Sequence, residues 1–109
     1  MTAQPLPNAV TAFVETVNAG DTLGFLDSFT PDAVVDDWGR RFTDREAIRA
    51  WSDAEFIGAG GRMTVTKSSV DGRTAVVIAH WRSTHANGLS RFVFTLAGDK
   101  IAQMQISAA

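Results

Sequence analysis

Residues 63–106 read MTVTKSSVDGRTAVVIAHWRSTHANGLSRFVFTLAGDKIAQMQI. Four runs rich in branched and apolar residues stand out: Met63 to Val70, Thr74 to Thr84, Leu89 to Leu96 and Lys100 to Ile106. They are punctuated by Asp71-Gly72, Asn87-Gly88 and Gly98-Asp99, dipeptides that supply the positive φ angles tight hairpins need. The stretch therefore reads as a four-stranded antiparallel meander. Along the Thr74–Thr84 run, alternation sends Ala75, Val77, Ala79, Trp81, Ser83 and His85 to one face and Val76, Ile78, His80 and Arg82 to the other. Both faces are partly apolar, so one is expected under helices and the other against a second subunit.

Upstream, Asn8 to Ala19 carries Val10, Phe13, Val14 and Val17 at helical spacing, with Asn8 as N-cap and Gly20 as stop. Asp21 caps a second short helix expected to run to Phe29, ended by Thr30-Pro31-Asp32 because proline cannot continue it. Ala33 to Trp38 reads as a strand and Gly39 to Phe42 as a turn. Thr43 with Glu46 forms a capping box for a third helix, Asp44 to Phe56, with Ile48, Trp51 and Ser52 on one face. Gly58-Ala59-Gly60-Gly61 stops that helix; it follows a helix and lacks a lysine, so it is no phosphate loop.

A chain of 109 residues is expected to be one domain, 1–109, able to bury roughly 65 per cent of its unfolded surface. The net charge of −2 gives no footprint for nucleic acid or an anionic membrane. Cysteine is absent, which removes disulfides, thiolate metal sites and thiol nucleophiles. The opening MTAQPLPNAV has neither a basic nor an apolar leader region, and no apolar run reaches membrane-spanning length, so a cytoplasmic location is expected. The chain also has no tyrosine, hence no phenol to act as acid or oxyanion donor.

In this order of elements the chain resembles the NTF2-like superfamily, which includes ketosteroid isomerases and polyketide cyclases of the SnoaL type. The likeness is carried by Asn18-Ala19-Gly20-Asp21, by Phe29-Thr30-Pro31-Asp32-Ala33-Val34-Val35-Asp36-Asp37, by Arg45-Glu46-Ala47-Ile48 and by Lys100-Ile101-Ala102-Gln103-Met104. It implies an α+β cone: three N-terminal helices packed on a strongly bent antiparallel β-sheet, with one pocket between them. It also places Asp37 where isomerase-like members carry their general base. Ketosteroid isomerases add an oxyanion hole made of a tyrosine and a protonated aspartic acid. The matching positions here are Phe13 and Phe92, so a dienolate lacks a stabiliser and true steroid isomerase activity is not expected.

Asp36 and Asp37 point to opposite faces of their strand, Asp37 inward by the family register. Among Val35, Phe13, Phe92 and Met104 an inward carboxylate is desolvated, which favours its neutral form and suits acid/base work near neutrality. The competing reading is a structural carboxylate tied to Trp38, Arg40 or Arg41; Asp36 reads as a surface partner of the arginines. His85, with Ser83 near the strand end, could polarise a carbonyl or carry a proton, or be a solvated turn residue. Trp51 reads as core and Trp81 as pocket wall. Glu55, one turn beyond Trp51, reads as a second carboxylate at the entrance or an exposed helix-end residue. The expected pocket lining is Phe13, Phe29, Val35, Trp38, Trp51, Glu55, Trp81, Ser83, Phe92 and Met104, with Asp37 and His85 as the catalytic candidates. No metal or other cofactor is expected, since His80 and His85 lie on opposite faces of one strand. Three functions follow from this: an enzyme using Asp37 on an apolar or polycyclic substrate, a non-catalytic binder, and an association module. A homodimer through the outer sheet face, using Ile78, His80 and Val93, is expected with any of them.

Overall fold

The computed structural model describes residues 6–109, so the reading of the leader lies mostly outside them. In chain order the elements are α1 (Asn8–Ala19), α2 (Thr22–Asp27), β1 (Phe29–Asp37), β2 (Arg40–Phe42), α3 (Arg45–Glu55), a single 3₁₀ turn (Ile57–Ala59), β3 (Arg62–Asp71), β4 (Thr74–Arg82), β5 (Gly88–Ala97) and β6 (Lys100–Ala108). The fold is α+β, with helices on a curved six-stranded sheet in the order β2-β1-β6-β5-β4-β3. No helix among the described residues is long and apolar enough to cross a membrane.

Several boundaries differ from expectation, each for a local reason. Only two helices precede the sheet; α3 lies between β2 and β3. The sheet is not wholly antiparallel, because β1 pairs with β6 in parallel, Val35 opposite Met104 and Asp37 opposite Ile106. A crossover through α3 and the meander makes this possible, whereas a hairpin would enforce the antiparallel sense. Phe29, expected as the end of α2, opens β1, and Thr30-Pro31-Asp32, expected only to stop the helix, continue that strand. Proline is tolerated there because the register with β6 slips between Phe29 and Val34, where no ladder N–H is required. Trp38 and Gly39 form a two-residue turn at φ 56° and 91°, and Arg40–Phe42 folds back as a strand.

The caps shift as well. Pro7 holds the N-cap position of α1 without a side-chain bond, and Gly20 ends that helix in the left-handed region, φ 68°. Asp21 caps α2 as expected by accepting from the Gly24 N–H. For α3 the cap is Asp44, which accepts from the Ala47 N–H at 2.8 Å, rather than Thr43.

The inner sheet face alternates as the sequence requires. Ala75, Val77, Ala79 and Trp81 of β4 are buried, with Phe92, Phe94 and Leu96 of β5 and Ile101, Met104 and Ile106 of β6. The helices cover this face with Val10, Phe13, Val17, Phe25, Ile48 and Trp51. Phe13 anchors the closed end, its ring 5.5 Å from Phe25, 5.8 Å from Phe29 and 5.2 Å from Phe94. On the outer face Val34, Val76, Ile78 and Val93 are only half-buried, and Arg62 stands directly opposite Arg82.

Candidate functional site

A cavity of about 370 Å³ opens between the C-terminal end of α3 and the far ends of β1, β4, β5 and β6. One wall is a ladder of aromatic rings. Trp51 stacks on Phe56 at 4.7 Å, and Phe56 stacks on Trp81 at 4.3 Å with the planes only 11° apart. Phe42 extends the stack behind Trp51, and Phe92 adjoins Trp81. The ladder needs Gly61, because a Cβ at that position would overlap the Trp81 ring. The rings cover one another's faces and give the cavity an apolar wall.

The polar edge is built by the Trp38-Gly39 turn. A two-residue hairpin sets its flanking residues face to face, so Arg40 comes back beside Asp37. Asp37 Oδ2 accepts from Arg40 Nη2 at 2.6 Å and from the Trp51 indole Nε1 at 3.0 Å. The same guanidinium donates to both oxygens of Glu55, at 3.0 and 2.6 Å. Glu55 Oε1 also meets His85 Nε2 at 3.0 Å. One arginine thus bridges two carboxylates, whose side chains are 14% and 21% exposed. Hydrogen bonding from Arg40 holds Glu55 below its ordinary carboxyl value, against an opposing effect of burial. Arg40 is raised above its already high ordinary value, chiefly by Glu55 and also by Asp37.

Of the residues expected here, Asp37, Trp38, Trp51, Glu55, Trp81, His85 and Phe92 line the cavity. Phe13, Phe29, Val35 and Met104 do not; they are fully buried in the closed end of the core, deeper along their elements than the opening. Ser83 is also absent from the wall, because β4 ends at Arg82 and the Ser83 hydroxyl turns back to donate to the Ala86 carbonyl. The expected apolar surroundings of Asp37 are corrected too: of the four residues named for them only Phe92 shares the cavity, and the carboxylate is ion-paired. Asp36 serves the turn instead of an arginine, accepting from the Gly39 N–H at 2.8 Å.

Arg40 is one of the partners that the competing reading of Asp37 named, and it joins the cavity wall, which the sequence reading did not expect of it; Phe56, Asn87 and Ser90 were missed altogether. A Trp-Gly pair read as a two-residue turn would have singled out Arg40 from Arg41 as the residue opposite Asp37. Among the described residues no group of three or more histidine, cysteine or carboxylate side chains is placed to hold a metal ion.

A family model described as the SnoaL-like domain matches residues 10–104. A candidate polyketide cyclase from Sinorhizobium meliloti is 31% identical, with 94% of this chain and 95% of that one covered and a TM-score of 0.84. An NTF2-like protein of unknown function from Cytophaga hutchinsonii is 9% identical over 97% of this chain and 93% of its own, TM-score 0.81. An epoxide hydrolase/cyclase-like enzyme of pyran ring formation in the polyether salinomycin is 22% identical over 90% and 85%, TM-score 0.80. These last two likenesses concern the fold alone. No curated protein matches the chain.

Proposed function

The chain belongs to the SnoaL-like domain family, and from that membership we propose that it binds an apolar or polycyclic small molecule in the cavity and transfers a proton on it through Asp37. The observation that carries the reading is the division of labour within one carboxylate. Oδ2 holds both donors, Arg40 and Trp51, while Oδ1 has no hydrogen-bond partner among the described residues, and the residue lines the cavity. A base is effective when its orientation is set by the atom that does not react. Isomerisation, ring closure and dehydration all begin with such a proton transfer, and two of the similar structures carry the word cyclase in their descriptions. Steroid isomerisation stays outside the proposal, since Phe13 is enclosed in the core and Phe92 offers no donor.

The test needs no knowledge of the natural substrate. β-Tetralone, a flat apolar ketone with acidic α-hydrogens, reports binding through tryptophan quenching and proton abstraction through deuterium uptake in heavy water. Wild type is expected to bind it and speed exchange. Asp37→Asn is expected to bind equally and lose the exchange, since an amide is no base; a general base contributes about 10²–10⁴-fold. If the variant speeds exchange as wild type does, Asp37 is not the base; if wild type binds without speeding exchange, the chain is a non-catalytic binder. The missing oxyanion donors favour that second reading.

The proposal includes a homodimer through the outer sheet face, where Val34, Val76, Ile78 and Val93 stay half-buried.

A further inference from the structure

The outer faces of β3, β4 and β5 gather their cations towards one end. The register sets Arg62 directly opposite Arg82 and, two residues along, Thr64 opposite His80. On the other side of β4, His80 faces Leu89 and Ile78 faces Arg91. Lys67 joins this group through a bulge. The pairing runs from Val65 with Ala79 to Lys67 with Ile78, and Thr66 is the extra residue, its hydroxyl donating to the Ile78 carbonyl at 3.1 Å. Strict alternation sends Lys67 inward with Met63 and Val65; the bulge sets it on the outer face instead. His80 therefore stands between two pairs of cations, Arg62 with Arg82 and Lys67 with Arg91, and all five residues are exposed.

No described residue neutralises them. The ion pairs among the described residues engage Arg40, Arg49, His85 and Lys100, none of them on this face. Asp71 is the one carboxylate among the described residues that the register puts on the outer face of β3, β4 or β5, and it lies at the far end of β3. Like charges directly opposite one another on paired strands cost stability. Beside the arginines lies an open recess of about 400 Å³, lined by Thr64, His80, Trp81, Arg82, Asn87 and Gly88, with no acid in its wall.

We propose that this surface binds a diphosphate. One phosphoryl group sits on Arg62 and Arg82, with the Thr64 hydroxyl and the His80 imidazole as further donors, and the second sits on Lys67 and Arg91. Guanidinium groups match phosphate oxygens in shape and charge. Two pairs of cations call for two phosphoryl groups. The pairs stand four residues of β4 apart, about 13 Å along the strand, a gap that long side chains reaching towards each other close. The site does not depend on Asp37. It shares its face with the proposed homodimer, and a bound diphosphate neutralises cations that a second copy otherwise meets.

Inorganic diphosphate, inorganic phosphate and butyl diphosphate are each titrated into the full chain and followed by the NMR signals of the arginine Nε–H groups and His80, with sodium chloride at matched ionic strength as control. Wild type is expected to bind diphosphate saturably, more tightly than phosphate, with shifts at Arg62, Arg82 and His80. Arg82→Gln is expected to weaken diphosphate roughly threefold to tenfold and, without anion, to melt no lower than wild type, since the opposed charges are gone. Lys67→Gln is expected to erase the preference for diphosphate over phosphate. Tighter binding of butyl diphosphate than of the inorganic ion assigns the ligand to organic diphosphates whose chain rests on the exposed Leu89; equal or weaker binding assigns it to the inorganic ion. Shifts reproduced by chloride, or unchanged affinity in Arg82→Gln, overturn the site. Phosphate bound as tightly as diphosphate overturns the diphosphate class.

Discussion

Trp38 is the one non-glycine residue among those described with a positive φ, 56°, and its neighbour Gly39 completes the turn. The left-handed region costs an L-residue with a bulky side chain about 1–2 kcal/mol, and asparagine less. Nothing in packing repays this, for Trp38 is 64% exposed. It does line the cavity, where its indole can cover an apolar ligand. Trp38→Asn is therefore expected to raise stability by about 1 kcal/mol in urea denaturation and to weaken β-tetralone binding. A variant that is less stable, or binds unchanged, would remove the turn from the site. The same residue explains what the sequence revealed and what it concealed. Asp37 was legible because strand alternation separates it from Asp36 and the family register aims it inward. Arg40 was legible only as one of three ties in the competing reading, because a tryptophan is an unusual occupant of a tight hairpin turn and that turn is what sets Arg40 opposite Asp37.

Between elements, the Arg40 side chain is the clasp that joins the β1–β2 hairpin to the end of α3. Its ion pair with Glu55 is one between partly exposed groups, so screening limits its worth. The dependence on pH nevertheless has a definite sign. Glu55 is depressed below its ordinary 4.5 by the hydrogen bonds of Arg40. A depressed carboxyl adds stability that is fully present above the unfolded value and fades as pH falls through the folded one. The urea midpoint of wild type should exceed that of Glu55→Gln at pH 7, and the gap should close progressively below about pH 4.5. A gap unchanged down to pH 3 would mean that the clasp does not depend on the charge of Glu55. Elements marked by strong periodicity, such as α1, α3 and β4, were readable from sequence. β2 was hidden by its three-residue length, and the start of β1 by Pro31, whose effect as a helix breaker concealed its place at a bulge. Asn87-Gly88 suggested a tight turn, whereas Ser83 and Asn87 bond to each other across a five-residue loop.

At the scale of the whole molecule, the outer sheet face combines half-buried aliphatics with cations. Arg62 faces Arg82 across β3 and β4, Arg91 lies opposite Ile78, and none of these arginines joins an ion pair among the described residues. Two copies meeting on this face would bring like charges together, so the proposed homodimer should tighten as salt rises from low to physiological ionic strength. Sedimentation at micromolar concentration and several salt levels measures this, and a monomer throughout would rule the dimer out. The sheet was legible as a curved meander, but its parallel seam was not, because no local pattern records which distant edge β1 will meet. That seam has a consequence for how the molecule comes into being. β6 is the last of these six strands to leave the ribosome, yet it lies inside the sheet, between β1 and β5. Until it emerges, the nascent chain can hold only two separate fragments, β1 with β2 and β3 with β4 and β5, each with a bare edge open to mispairing. The cavity is lined by Ile106, and the Ile106 carbonyl accepts from the Trp38 N–H beside the mouth. The cavity cannot close before β6 is in place, so a nascent chain stalled before it lacks the pocket altogether.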